Sequence, residues 1–343
     1  MQRKQVSSVL KYLLFLAFGL VLLWLSFRTL DMREVWAEIK KAHYAWLFFS
    51  LFLVLISHVF RAARWNLLIG GLHYKTRLST TFFSVMIGYL ANTAVPRMGE
   101  LVRCGVLSKK ENIPFYALFG TVILERFVDL VVLALLIVGV IVFQLTLLRD
   151  FLHEILGPFA RKVFVNILDI TLFSALLIFF LVGTFLLLKH NKHWFENHPA
   201  YLKMRRFFKG VLEGVKTVKT MKNKWLFLLY TFLIWLFYAL MVYVPVMMFP
   251  ETSGLNFVAG LTLLAIGSLG IVAPVPGGIG AYHFIVKSIL VELYHIPADV
   301  AISFATITHA GQTLLNVSVG SLGYLYILLT KKMKPRNEKP GNH

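Results

Sequence analysis

Residues 266–284 read IGSLGIVAPVPGGIGAYHF. The surroundings are apolar, yet the stretch carries Pro274, Pro276 and four glycines between Gly270 and Gly280. Proline removes a backbone donor and clashes with the preceding turn, and glycine lowers helix stability. An uninterrupted membrane helix is therefore excluded. Inside lipid, non-helical backbone survives only where protein buries it or where it lines a polar cavity. The stretch predicts a broken, re-entrant segment beside a site.

The flanking chain sets the class. Of 343 residues, 58% are hydrophobic and 15% charged. Several apolar runs reach the roughly 20 residues that cross a bilayer. They are too continuous for the alternating strands of a membrane barrel. The expectation is an all-α polytopic membrane protein, a single integral membrane domain over residues 1–343. The net charge of +19 falls between apolar runs, so it reads as cytoplasmic loops against an anionic leaflet and not as a nucleic-acid surface. Cys104 is the single cysteine; a disulfide within the chain and a cysteine-rich metal site are excluded. No phosphate-binding loop, HExxH or nucleophile elbow appears. No cofactor, metal or catalytic residue is expected.

Six full spans are predicted near residues 9–27, 44–69, 114–145, 164–188, 225–249 and 299–330, the first acting as a signal anchor. A mixed-charge segment at 28–43 reads as a short interfacial helix. Arg61 and Arg64 sit toward the end of the second span, where they can snorkel to headgroups. Residues 189–224 hold ten Lys or Arg against two Glu and read as a cytoplasmic connection. The basic N-terminus and the tail after Thr330 fit the same side. These assignments agree only if 78–107 and 260–293 each enter and leave on one face; hydropathy alone would give eight spans. The resulting location is the plasma (inner) membrane, with both termini cytoplasmic.

The chain also repeats itself. Trp46-Leu47-Phe48 recurs as Trp225-Leu226-Phe227, and Ile87-Gly88 as Ile266-Gly267. Val95-Pro96 recurs as Val275-Pro276, and Ile113-Pro114 as Ile296-Pro297. The offset stays between 179 and 183 residues. Residues 9–145 and 164–330 each read as helix, helix, re-entrant hairpin, helix, and the sidedness makes the two repeats inverted. Inverted repeats with matching broken helices mark transporters with a midplane site.

Charged residues cluster near the first break. Glu125, Arg126 and Asp129 lie within a span, where each charge costs roughly 2.5–3.5 kcal/mol on insertion scales. Glu125 and Asp129 share a helix face, and Arg126 can pair with Asp129. A self-neutralising structural pair and a polar path along the hairpin tips both remain open. Arg97, Glu100 and Arg103 flank the break itself. A half-helix starting near Gly99 would aim free N–H groups at an occupant, arginine suits phosphate, and Glu100 would either cap the helix or join the site. The second break, Pro276-Gly277-Gly278, offers uncharged backbone donors, with glycine serving ligand approach or helix packing. His283, Lys287, His309, Gln312 and Asn316 follow it; membrane histidines are more often helix contacts than ligands. His283, His309 and Gln312 complete the candidate substrate-binding set.

RMGELVR at 97–103, ERFVDL at 125–130 and PVPGGIGAYH at 274–283 together resemble the transmembrane, flippase-like domain of lysylphosphatidylglycerol synthases. That domain also occurs as a stand-alone membrane protein. The resemblance covers nearly the whole chain. It implies movement of aminoacylated lipid between leaflets, while aminoacyl transfer from tRNA belongs to a separate soluble domain that is expected to be missing here. Where the family commonly keeps an acidic residue after the PGG break, this chain has Tyr282 and His283.

The expected function is a lipid translocase for a charged headgroup, phospho- or aminoacyl-bearing. Arg97, Arg103 and Arg126 would contact phosphate; Glu100, Glu125 and Asp129 would balance charge or bind a cationic headgroup. The expected partner is membrane lipid, anionic or aminoacylated. One rival is an enzyme on a lipid-linked substrate with Glu125 or Asp129 as base; the residues favour a carrier over it. The other is a non-transporting assembly partner of an envelope-lipid pathway, docking a soluble protein on Lys203, Arg205, Arg206 and Lys209.

Overall fold

The computed structural model describes residues 2–144, 221, 223–272 and 275–330. The expected span at 164–188, nearly all of the basic connection and the tail beyond Thr330 lie outside them. Among the described residues, all regular structure is helical.

Helix α1 (Gln2–Phe27) turns through 88° into α2 (Met32–Lys41). Asp31 starts α2 by accepting the Arg33 N–H at 2.7 Å, which satisfies an otherwise orphaned donor. One face of α2 buries Val35 near the last helix, where Ser303 Oγ donates to the Val35 carbonyl at 3.2 Å; Met32 and Trp36 stand exposed on α2.

Helix α3 (Tyr44–Gly71) pairs with α7 (Lys224–Tyr243). Ser50 donates to the Met241 carbonyl at 2.6 Å, and Arg64 donates to Thr231 at 3.2 Å. Rising numbers on one helix meet falling numbers on the other, so the pair is antiparallel. A 3-10 turn at Val244–Met248 extends α7, and the short α8 (Pro250–Ser253) follows. With α6 (Phe115–Phe143) and the last helix, α11 (Ala298–Leu329), four described helices are long and apolar enough to cross a membrane; α1 and α2 together count as a fifth only as a bent pair.

Both expected breaks are present. Helices α4 (Leu78–Ala94) and α5 (Gly99–Glu111) pack on each other across a turn, as do α9 (Phe257–Val272) and α10 (Ala281–Ser288). All four are shorter than the roughly 20 residues of a full span. In the first pair, a Cβ on Gly99 would collide with the Gly88 carbonyl and the Asn92 side chain. That contact lets the two backbones touch. At the second break, Gly277, Gly278 and Gly280 hold φ of 60°, 75° and 81°, a region that L side chains avoid.

The hairpins interlock with the long helices. Helix α4 runs antiparallel along α11, with Ser79 bonded to Tyr326 at 2.8 Å and Gly320 seated on Met86 and Leu90. Helix α9 packs on α6 through Ala265 and Val140. Helix α5 lies on α6, and α10 lies on α11. The corners into α6 and α11 are alike: Asn112 (φ 55°) precedes Ile113, which is buried, and exposed Pro114, and His295 (φ 54°) precedes Ile296, which is buried, and exposed Pro297. Proline fixes φ and favours the helix entry. Phe48, Phe52, Phe127, Leu130, Phe232 and Leu328 remain exposed on the long helices, as lipid contact requires.

Candidate functional site

The charged site grows from two spacings. On α3, Arg61 and Arg64 lie three residues apart on one face; on α6, Glu125 and Asp129 lie four apart. Packing turns these faces toward each other. Asp129 Oδ1 accepts from Arg64 Nη2 at 2.8 Å, and Asp129 Oδ2 lies 3.1 Å from Arg61 Nη1. Glu125 Oε1 lies 3.5 Å from Arg64 Nη2. Helix α5 adds Arg103, whose Nη2 donates to Glu125 Oε2 at 2.8 Å. Arg61, Arg64, Arg103 and Glu125 are all at most 3% exposed at the side chain. Burial of this many charges is tolerable only because each is paired.

Aromatic and hydroxyl groups wall the network. Trp65 is fully buried, donates through Nε1 to Thr121 at 2.8 Å, and lies 4.7 Å beneath the Arg103 guanidinium. A guanidinium over an indole is a favourable cation–π contact. Arg61 donates to Tyr238 Oη at 2.9 Å and 3.1 Å, and Arg64 lies over Phe227. Beyond them, His58 stacks on Tyr89 at 4.4 Å.

An outer layer is more open. Arg126 Nη2 lies 2.6 Å from Glu100 Oε1, with side-chain exposures of 44% and 24%. Arg126 also reaches Asp129 Oδ2 at 3.9 Å. The expected Arg126–Asp129 pair is therefore the longer of its two contacts. Arg97 stands exposed at the turn with φ 63°. The Gly99 N–H, expected to be free for an occupant, is taken by Asn92 Oδ1 at 2.7 Å; Gly99 works in helix packing.

Two residues correct the sequence reading outright. Arg61 and Arg64 do not snorkel to headgroups; they join Arg103 as buried cations of the network. Hydropathy placed them near a helix end. The signal that would have found them is the carboxylate pair on α6, which Arg126 alone cannot neutralise.

The second break builds an uncharged cluster. Pro276 is buried, and His309 Nε2 is bonded to the Gly277 carbonyl at 2.9 Å. Buried His283 sits 4.9 Å from His309 and 6.4 Å from Phe27, ring to ring. Tyr282 bonds Thr308 at 3.2 Å. Gln312, half-buried, follows His309 by three residues on α11. A Cβ on Gly277 would lie 3.7 Å from the Thr93 carbonyl, so the two breaks touch through their backbones. A Cβ on Gly280 would collide with the Gly19 carbonyl of α1. Among the described residues no group of three or more metal-ligating side chains occurs.

Long apolar helices, two broken helical hairpins and a buried arginine–carboxylate network define an integral membrane protein with a polar centre. Residues 9–320 match the family model described as the lysylphosphatidylglycerol synthase TM region, and the chain belongs to that family. It is also 35% identical over 83 residues to a UPF0104 membrane protein of Methanocaldococcus jannaschii. That match covers 23% of this chain and 25% of the relative. No solved structure matches.

Proposed function

We propose that this protein is a flippase-like lipid translocase that carries a charged-headgroup lipid, phospho- or aminoacyl-bearing, between the leaflets of the plasma (inner) membrane. The observation that carries the reading is the network of Arg61, Arg64, Arg103, Glu125 and Asp129 inside an apolar helix assembly, with the Arg126–Glu100 pair at its accessible edge. Intramembrane charge is costly and marks pathways for polar cargo. The headgroup would pass along this edge while its chains stay in lipid.

Two relationships support an inverted repeat. Helix α4 packs on α11, and its counterpart α9 packs on α6, so each hairpin leans on the long helix of the other half. The matching corners at Asn112 and His295 recur at the repeat offset. In this arrangement the hairpins enter from opposite faces, both termini are cytoplasmic, and the meeting breaks lie near the midplane.

The test is leaflet exchange in vesicles. Reconstituted protein should accelerate exchange of labelled anionic or aminoacylated lipid, and Arg126→Ala should slow it with the fold intact. Exchange equal to that of protein-free vesicles across the lipid panel would remove the reading.

A further inference from the structure

We propose that the site is selective for a headgroup of net negative charge, whose phosphoryl oxygens take the place of Glu100 on Arg126. The inference rests on the translocase reading only for transport; binding is tested separately.

Charge decides the sign. Among the described residues the network sets four arginines, Arg61, Arg64, Arg103 and Arg126, against three carboxylates, Glu100, Glu125 and Asp129. One positive charge is left over. Each carboxylate is already engaged: Asp129 by Arg61 and Arg64, Glu125 by Arg64 and Arg103, Glu100 by Arg126. A cationic headgroup would have to break one of these pairs and would add to the surplus. Hydrogen-bonding capacity is left on both sides, with more of it on the cations. Arg61 Nη1, Arg64 Nε, Arg103 Nε and Arg103 Nη1 are buried with no hydrogen-bond partner among the described residues; Glu125 Oε1 and Asp129 Oδ2 also accept no hydrogen bond, but lie in ion pairs at 3.5 Å and 3.1 Å. A buried guanidinium in this state favours an approaching anion.

Access decides the place. Arg61, Arg64, Arg103, Glu125 and Asp129 are at most 11% exposed at the side chain, whereas Arg126 is 44% exposed and Glu100 24%. A half-exposed ion pair is weak, so a phosphoryl oxygen pair can replace a carboxylate on the fork of Arg126. Glu100 is thus a resident counter-anion. It rides on α5, one arm of the first hairpin, so exchanging it couples ligand arrival to that arm.

The test uses the full chain purified in detergent, with lipid binding read by native mass spectrometry. The panel is phosphatidic acid, phosphatidylglycerol, phosphatidylcholine and lysyl-phosphatidylglycerol. Anionic lipids should bind about tenfold or more tightly than the others, and Arg126→Gln should lose about that factor, the scale of one charge-assisted contact. Arg126→Lys, which keeps charge without the fork, should fall between. Glu100→Gln should bind several-fold more tightly than wild type, and this gain decides the matter even if Arg126→Gln fails to fold. Glu38→Gln, in the exposed Lys41–Glu38 pair, should change nothing. Displacement of lipid by inorganic phosphate would mark the phosphoryl group as the recognised element; displacement by lipid alone would mark headgroup and chains together. Either supports the anion. Preference for lysyl-phosphatidylglycerol, or weaker binding by Glu100→Gln, overturns it. Anion binding without leaflet exchange would overturn the translocase reading and keep the site; exchange of cationic lipid alone would do the reverse.

Discussion

Arg64 and Asp129 meet at 2.8 Å inside the helix assembly, 65 residues apart in the chain. The contact joins α3 to α6, and Arg61 reinforces it on the other carboxylate oxygen at 3.1 Å. One buried carboxylate thus holds two buried guanidinium groups in place.

Asp129→Asn should therefore strand Arg61 and leave Arg64 with only one carboxylate contact, to Glu125 at 3.5 Å. Breaking a buried pair costs about 3–5 kcal/mol, so the variant should unfold at clearly lower temperature or lower SDS fraction than wild type. Replacing Asp129 and Arg61 together should cost less than the sum of the single changes, because the partners are coupled. Additive losses would show that the two residues do not interact.

The first hairpin offers a contrast among glycines. Gly88→Ala and Gly99→Ala each drive a methyl into facing backbone, while a Cβ on Gly105 meets nothing within 4 Å among the described residues. Overpacking costs about 1–3 kcal/mol, whereas alanine gains up to about 1 kcal/mol over glycine within a helix. Thermal melts should rank Gly105→Ala at or above wild type and the other two below it. A similar fall for all three would mean that helix packing is not what sets these positions.

At the second break, His309 anchors the Gly277 carbonyl. His309→Ala should cost about 1 kcal/mol, the net worth of one hydrogen bond, and speed amide exchange over residues 276–281. Gly277→Ala should cost about 1–2 kcal/mol because its φ of 60° is strained for an L side chain. Unaltered exchange in His309→Ala would remove its anchoring role.

Cys104 is fully buried beside Arg103. A membrane-permeant maleimide should label it slowly in the folded protein and completely in SDS. Because the chain has one cysteine, the same reaction reports opening of α5 away from the helices packed around it. Fast labelling of folded wild type would contradict the packing at this helix.

Much of this architecture is legible in one dimension. Runs of apolar residues dictate long helices because lipid leaves backbone groups no other partner. Pro276, Gly277 and Gly278 predict a break because proline and glycine destabilise a helix there, and Ile113-Pro114 and Ile296-Pro297 mark matching entries to long helices. The acidic pair on α6 reads as costly intramembrane charge, which fits a self-neutralising pair or a polar path equally. The partners, however, came from elsewhere. Arg61 and Arg64 look like ordinary basic residues toward a helix end until α3 is laid against α6, and Trp65 looks like core until Arg103 is placed over its ring. The Gly99 N–H looks free until Asn92, seven residues earlier, folds back on it. Hydropathy and periodicity report each helix separately; which charge neutralises which depends on how helices pack, and that is settled only when distant segments share one volume.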